Sequence, residues 1–395
     1  MPGLQFNVVF IHHDHAVFGP RHETAGITSA TDSAAVSATV FTAAIGVTAG
    51  SSNVNITLVA AVSVATNMID NDVQAHVLDS TLITGGALDI TATSVKDIDA
   101  LGISVAGSVT AGSGTFSLSG AVGVAQATNT IGGTVHALIQ DADQAELPSV
   151  KTGALLTMMA DNTSTIDSTL VVATLSVTAG SGTVALALSG AASVTENTIT
   201  SAVLAGIDNS YVDAGGDVSI DAGANSTINA NTIAVAVSVS AGSGTVNISG
   251  AVGVAIATNS IGGSTQALIT DSTVDAHGTV DVILTDTATV NSNVIAAAVS
   301  VSASSGSVSG SLALAVSLAE NTISGSSRAS IENSTVDAIG ALSDVNVSAL
   351  ANNEINAVAA AASVSVAASS SVGISISGAV GVDGAVGDQR LGGAA

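Results

Sequence analysis

One phrase recurs along this chain with a fixed spacing, and that recurrence limits the fold more than any other feature. VTAGSSNVNITLVAAVSVATNMI, VTAGSGTFSLSGAVGVAQATNTI, VTAGSGTVALALSGAASVTENTI, VSAGSGTVNISGAVGVAIATNSI and VSASSGSVSGSLALAVSLAENTI lie over one another without gaps at their ends. The Asn before the closing apolar pair is Asn67, Asn129, Asn197, Asn259 and Asn321, so the spacings are 62, 68, 62 and 62. Ala49, Ala111, Ala179, Ala241 and Ala303 repeat that series. The six extra residues of the second interval fall around DADQAELPSVKTG, an insertion of the kind that loops tolerate. Self-similarity at a fixed period is the mark of a stacked, quasi-one-dimensional architecture.

Within each unit the period is two. IAVAVSVSAGSGTVNISGAVGVAIA alternates Val or Ile with Ala, Ser or Gly, which is the pattern of a strand and not of a helix. Gly, Asn and Asp punctuate the runs as turn residues do. The small face allows either close approach of a second layer or a smooth exterior. The reading is an all-β parallel β-helix, a β-solenoid of 62-residue repeats. A repeat of this size accommodates about three coils of some 20 residues each. That gives roughly 18 coils and, at about 4.8 Å per stacked strand, a rod on the order of 85 Å long around a column of Val, Ile, Leu and Ala. The alternative treats AGSG as a hairpin loop, making each unit an antiparallel module. The expected organisation is a non-repeat cap over 1–34, five full repeats and a degenerate sixth over 35–385, and a tail over 386–395.

Composition removes several functional classes. Only 2% of the 395 residues are aromatic and 9% are charged, against about 25% charged in an ordinary soluble domain. Thirty acidic residues face five basic ones, for a net charge of −25. Scattered cations cannot replace counterions along a phosphate backbone, so no nucleic-acid partner is expected. No stretch of eighteen apolar residues offers a membrane-spanning helix, and the aromatic girdles of a membrane barrel are missing, so no membrane span is expected. There is no cysteine, hence no disulfide framework. The first residues, MPGLQFNVVFIHHDH, lack the basic n-region of a signal peptide, so export by another route or a place within a longer polypeptide is expected.

The repeated phrases, N-T-I followed by A-x-I-x-[DN]-S-T-V-x-A-x-G-x-V and then AVAVSV-AGSGT-V, resemble the repeats of giant bacterial surface proteins, the filamentous-haemagglutinin-type and leukotoxin-type adhesins. The resemblance covers about residues 35–385. It implies an extracellular, elongated right-handed β-helix serving as stalk or adhesive surface. The secretion and anchoring domains of such proteins have no counterpart among these residues.

Candidate chemistry is sparse. His12, His13, Asp14 and His15, with His22 nearby, could ligate Zn, Cu or Ni, although their crowding hinders a closed tetrahedral site. Asp79, Asp141 and Asp271, equivalent to Asn209 and Asn333, could bind Ca²⁺ weakly through oxygen or could simply be turn residues; Asp213, Asp275 and Asp337 follow four positions beyond their equivalents. His76, His136 and His277 drift between copies as a solvated face does. The recurrent Asn is expected to brace the same corner of every unit through its amide. Neither a phosphate loop nor a nucleophile elbow occurs in a strand-to-helix context.

These features point to a non-enzymatic structural protein without a resident cofactor. It would be an extracellular rod or cell-surface fibre, an adhesin stalk joined to neighbouring repeats or to further copies end to end. The alternatives are a glycan- or host-surface-binding module, with Tyr211 as the one candidate for sugar stacking, and, more remotely, a β-helix carbohydrate-active enzyme.

Overall fold

The structure is a computed structural model describing residues 5–11, 14–18, 21–23, 26–144, 147–340 and 343–393, with side chains over 28–142, 148–340 and 343–387. Among these residues every element is a strand. The strands form three sheets of parallel neighbours, plus a two-residue antiparallel pair, Asp143–Gln144 with Leu147–Pro148, in the insertion. The chain is therefore a parallel β-solenoid, and the antiparallel-module reading is excluded. Nothing described reaches a helix long and apolar enough to cross a membrane.

Each 62-residue repeat makes one coil, where three coils of about 20 residues were expected. Leu156 pairs with Val218, Val218 with Val280, and so on along 25 consecutive residues, so a strand's neighbour lies a whole repeat away. A coil contains one 25-residue strand such as Val218–Gly242, a tip at AGSGT, a second long strand such as Val246–Thr270, a corner, and a short strand such as Thr273–Ala276. The first long sheet and the short sheet each contain six strands. Six coils at about 4.8 Å stack to roughly 29 Å along the axis, while a 25-residue strand spans about 80 Å across it. The single chain is thus a plate, wider than it is tall.

Both ends of the chain join this plate. Gln5–Ile11, Asp14–Phe18 and Arg21–Glu23 pair in parallel with the first full coil, and Gly26–Gly50 is already a strand of the first long sheet, so no structural boundary falls at residue 34. At the other end the strand Val372–Gly393 runs through residues 386–393, which were expected to be a tail.

The interior changes along the strand. Near the short sheet, where three sheets enclose a triangle, the core is Val73, Leu88, Ile90, Ile139, Val212, Ile220 and their stacked equivalents. Further along, Ile98, Ile166, Ile228 and Val290 of the first long sheet meet Ile69, Ile131, Ile199, Ile261 and Ile323 of the second. Beyond this isoleucine layer the core becomes mostly Ala, with Val40, Leu170, Val172 and Val294 among it. Towards the tip it is Ser and Thr. Ser238 Oγ donates to Ala187 O at 2.7 Å, and Ser302 Oγ donates to Asn247 O at 2.9 Å, each reaching the main chain of the facing sheet. A serine spans the gap because the sheets close below their usual separation of about 10 Å. Gly253 marks one such close approach: a Cβ there would stand 2.6 Å from Ala297 O.

This taper fixes the facing of the tip half, which alternation alone leaves open between close approach of a second layer and a smooth exterior. The small alternate residues point inward and the Val and Ile point outward; Ile45, Val47, Leu58 and Ile248 are exposed, while Ala44, Ala61, Ser238 and Ser249 are buried. Of the expected column of Val, Ile, Leu and Ala, the branched aliphatics line the core nearer the short sheet and Ala continues it beyond, while the Ser and Thr of the tip were not expected there.

The recurrent Asn lies within the second long strand, pointing inward, and not at a corner. Asn67 Nδ2 donates to Asn129 Oδ1 at 2.7 Å; Asn129, Asn197 and Asn259 each donate to the next amide at 2.8 Å. All five are buried. Within the ladder one amide thus satisfies the next, so its internal polar groups are buried with partners, and only the end atoms, beginning with Asn67 Oδ1, lack one. The chain of amides ends where Asn321 meets Ala385, leaving Asn321 Nδ2 without an acceptor. A half-buried ladder, Asn291 Nδ2 to Asn229 Oδ1 at 2.8 Å, lies on the outer face of the first long sheet.

Asn197→Ala breaks two buried amide bonds and is expected to cost about 2–4 kcal/mol in urea unfolding, whereas Asn229→Ala on the surface costs less than about 1 kcal/mol. Ala385→Asn supplies the missing acceptor and is expected to raise stability by about 1 kcal/mol.

Candidate functional site

The corner preceding the short sheet is built the same way in each of five coils. Asp79, Asp141, Asn209, Asp271 and Asn333 all have positive φ, between 43° and 53°. Asp and Asn tolerate this left-handed conformation better than other residues with a Cβ. In four of the five coils a Ser follows, with Ala142 in its place in the second, and it completes the turn: Ser210 Oγ donates to Asp208 O at 2.7 Å and accepts from the Ala142 N–H of the neighbouring coil at 3.1 Å. The same double contact recurs at Ser272, through Thr270 O and the Ser210 N–H. Asp79, Asp141 and Asp271 are therefore turn residues. Asp141 Oδ1 accepts from Asn209 Nδ2 at 2.9 Å, and Asn209 and Asn333 interrupt the column of carboxylates.

This corner delivers the short strands, whose outer face gathers the chemically most varied side chains of the described molecule. Val212 and Ala214 point into the triangular core, so Tyr211 and Asp213 point out. Register places Lys151, Asp213, Asp275 and Asp337 in one column. Lys151 Nζ pairs with Asp213 Oδ2. The Tyr211 hydroxyl donates to Asp275 Oδ2 at 3.0 Å, which, with the surrounding carboxylates, holds the phenol above its ordinary pKa. The ring of His277 lies close by, with Nδ1 at 3.1 Å from Ala214 O and 3.9 Å from Asp213 Oδ1. The arrangement is a half-buried aromatic ring flanked by a cation and by carboxylates, suited to binding a polar ligand through stacking and hydrogen bonds. Sequence reasoning singled out Tyr211 and the Asp213 column separately; Lys151 escaped it because it sits in the insertion, outside the repeated phrase.

The remaining candidates are dispersed. His12 and His13 lie outside the described residues, and Asp14 and His15 belong to a strand whose side chains lie outside them as well. Among the described residues no group of three or more His, Cys, Asp or Glu is placed to hold a metal ion. His76 and His136 stack with ring centroids 6.3 Å apart and planes at 9°. Burial holds His136 below its ordinary pKa, with Asp72 opposing.

One buried charge was not foreseen. Lys96 points into the interior at a position where the coils on either side carry Ala34 and Ser164. Its Nζ donates to Gly132 O at 2.8 Å. Burial pushes its pKa down to about 8, against the opposing pull of Asp32, Asp70 and Asp72. Three outer carboxyls shift the other way. Burial raises Asp161; burial and then Asp161 raise Asp221; burial, then Asp167 and Asp99, raise Asp97.

Comparison with protein-family models, with curated proteins and with solved structures finds no match.

Two titrations follow with opposite signs. Lys96 binds its proton less tightly folded than unfolded, so stability is expected to rise between pH 8 and 10.5, by about 3 kcal/mol, and Lys96→Ala flattens that rise. Asp97, Asp161 and Asp221 bind protons more tightly folded, so stability climbs as pH falls from their raised values to about 3.8, and Asp161→Asn with Asp221→Asn reduces the climb. Urea midpoints across pH check both.

Proposed function

We propose that this chain is a structural repeat element, a plate of stacked coils that lengthens by adding coils at its ends and serves as the stalk or fibre of an extracellular surface assembly. One observation carries the reading. The coil bounded by Val345–Ala368 and Val372–Gly393 has strand neighbours on one side only, and its inward residues Ile355, Ala359 and Ala361 lie only partly covered, although their equivalents one coil below are buried. Its open edge is chemically the same surface on which each preceding coil of the chain receives the next. A further repeat of the same pattern, from a longer polypeptide or from another copy, therefore fits it by the contacts already used within the chain. Stability in such an array is a sum of coil and nearest-neighbour terms, so added coils protect those beneath them. Unprotected strand edges otherwise recruit other chains. The adhesin resemblance of the repeated phrases supports the same setting, outside a cell.

A second reading, that the plate also binds a glycan, is favoured by the cluster of Tyr211, Lys151, Asp213, Asp275 and His277 on the short-sheet face. It is compatible with the first, since that face remains free when coils stack.

Growth along the axis is expected at tens of micromolar protein, seen by electron microscopy as ribbons of constant width. Ala361→Lys, an inward-pointing charge at the open edge, is expected to abolish it. Wild-type particles that stay one chain long would count against the stacking. Tyr211→Ala is expected to lower binding at least tenfold for any oligosaccharide that a glycan array retains; an array with no retained sugar leaves the passive stalk as the reading.

A further inference from the structure

The outward residues of the second long sheet, from its tip towards the isoleucine layer, form a continuous apolar face. In the coil containing Val246–Thr270 they are Val246, Ile248, Gly250, Val252, Val254 and Ile256. Across the six stacked coils the equivalents are Val, Ile, Leu, Phe, Ala or Gly except for Gln126. None is charged, in a chain of net charge −25. Polar residues return one column further, at Thr66, Thr128, Glu196, Thr258 and Glu320. Eleven residues at about 3.3 Å by six strands at about 4.8 Å give a footprint of about 1,000 Å². That exceeds the apolar patch an isolated soluble chain usually carries and matches the roughly 800 Å² per partner of a stable interface.

The relief of this face identifies its occupant. One column reads Leu58, Gly120, Leu188, Gly250, Leu312, Ile376, and the adjacent column reads Ala60, Val122, Gly190, Val252, Leu314, Gly378. Through the middle coils large and small residues alternate along both columns and in opposite phase. Knobs such as Leu188 and Val122 therefore stand beside holes such as Gly190, where a Cβ would have only Val122 Cγ2 near it, at 4.0 Å. Leu58 is 71% exposed, Val122 49% and Leu188 47%, and the columns line a groove of about 550 Å³. Leu188 and Gly190 are two apart on one strand, so a two-fold axis between them seats each copy's Leu188 at the other's Gly190.

We propose that this face is a self-complementary docking surface for a second copy of the chain, giving a face-to-face two-fold pair with Leu188 and Gly190 at its centre. Such an isologous contact closes on itself. It lies at right angles to the coil-stacking direction and leaves the coil ends free. A lipid bilayer is the other medium suited to an apolar strip of this length, but the stack carries unpaired strands at its open edge, and lipid cannot satisfy their backbone groups.

Sedimentation equilibrium from 1 to 100 µM tests the pair, with Ala361→Lys present in every chain so that growth through the coil end is silenced. The expected result is a species of twice the 37.7 kDa chain mass. Leu188→Glu, which buries a charge, and Gly190→Leu, which fills the hole, should each weaken association at least tenfold with the circular dichroism unchanged. Val237→Glu, on the outer face of the other long sheet, should leave it intact. The chain lacks cysteine, so Leu188→Cys alone should give dimers with a short bismaleimide, which end-to-end stacking cannot produce. Chains that remain monomeric at 100 µM, or pairs insensitive to both Leu188→Glu and Gly190→Leu, would overturn the proposal. So would chains that stay monomeric in water but float with phosphatidylcholine vesicles.

Discussion

Everything in this molecule depends on parallel pairing of each residue with its equivalent one repeat away. Backbone hydrogen bonds run along the axis, so like side chains stack on like, and each column is in effect a choice made five or six times over. A column of Asn can then be buried, because the amides of Asn67, Asn129, Asn197 and Asn259 each find the next at 2.7–2.8 Å. A column of Asp or Asn can hold positive φ at the same corner, and Ser210, Ser272 and Ser334 after it tie that corner to the neighbouring coil. The same identity of columns leaves the last coil with an edge that has the shape of every internal junction.

The plate shape follows from residue size. Isoleucines hold the long sheets apart near the triangular end; alanines bring them closer, and serines at the tip let hydroxyls reach the opposite main chain. With the small residues inside, the branched aliphatics of the same strands have to point outward. The near absence of aromatics is consistent with a gap too thin to hold them. It also leaves two broad aliphatic surfaces on a highly acidic chain.

Several levels of this were legible in the sequence. Period-two alternation gave strands, the 62-residue recurrence gave stacking, and the shared Asp/Asn–Ser phrase marked the corner. The coil circumference was not legible from the period alone, because a repeat can close once or three times. The better signal was the turns themselves: AGSGT, the Asp/Asn–Ser pair and the Gly-rich step before the first long strand divide a repeat unequally into two runs of 25 residues and one of four. Alternation likewise cannot say which face is inside; that is decided by how near the opposing sheet lies. Lys96 was invisible for a related reason, since nothing in its local sequence distinguishes an outward lysine from one aimed at a carbonyl across the interior.

The most direct test of one coil per repeat is a distance across the plate. Nitroxide labels at Asn225→Cys and Ala241→Cys lie on the same 25-residue strand, sixteen residues apart. Pulsed dipolar spectroscopy is expected to give about 53 Å between them. A separation near 20 Å would mean that the chain turns within that span, as coils of some 20 residues require, and would contradict the fold described here.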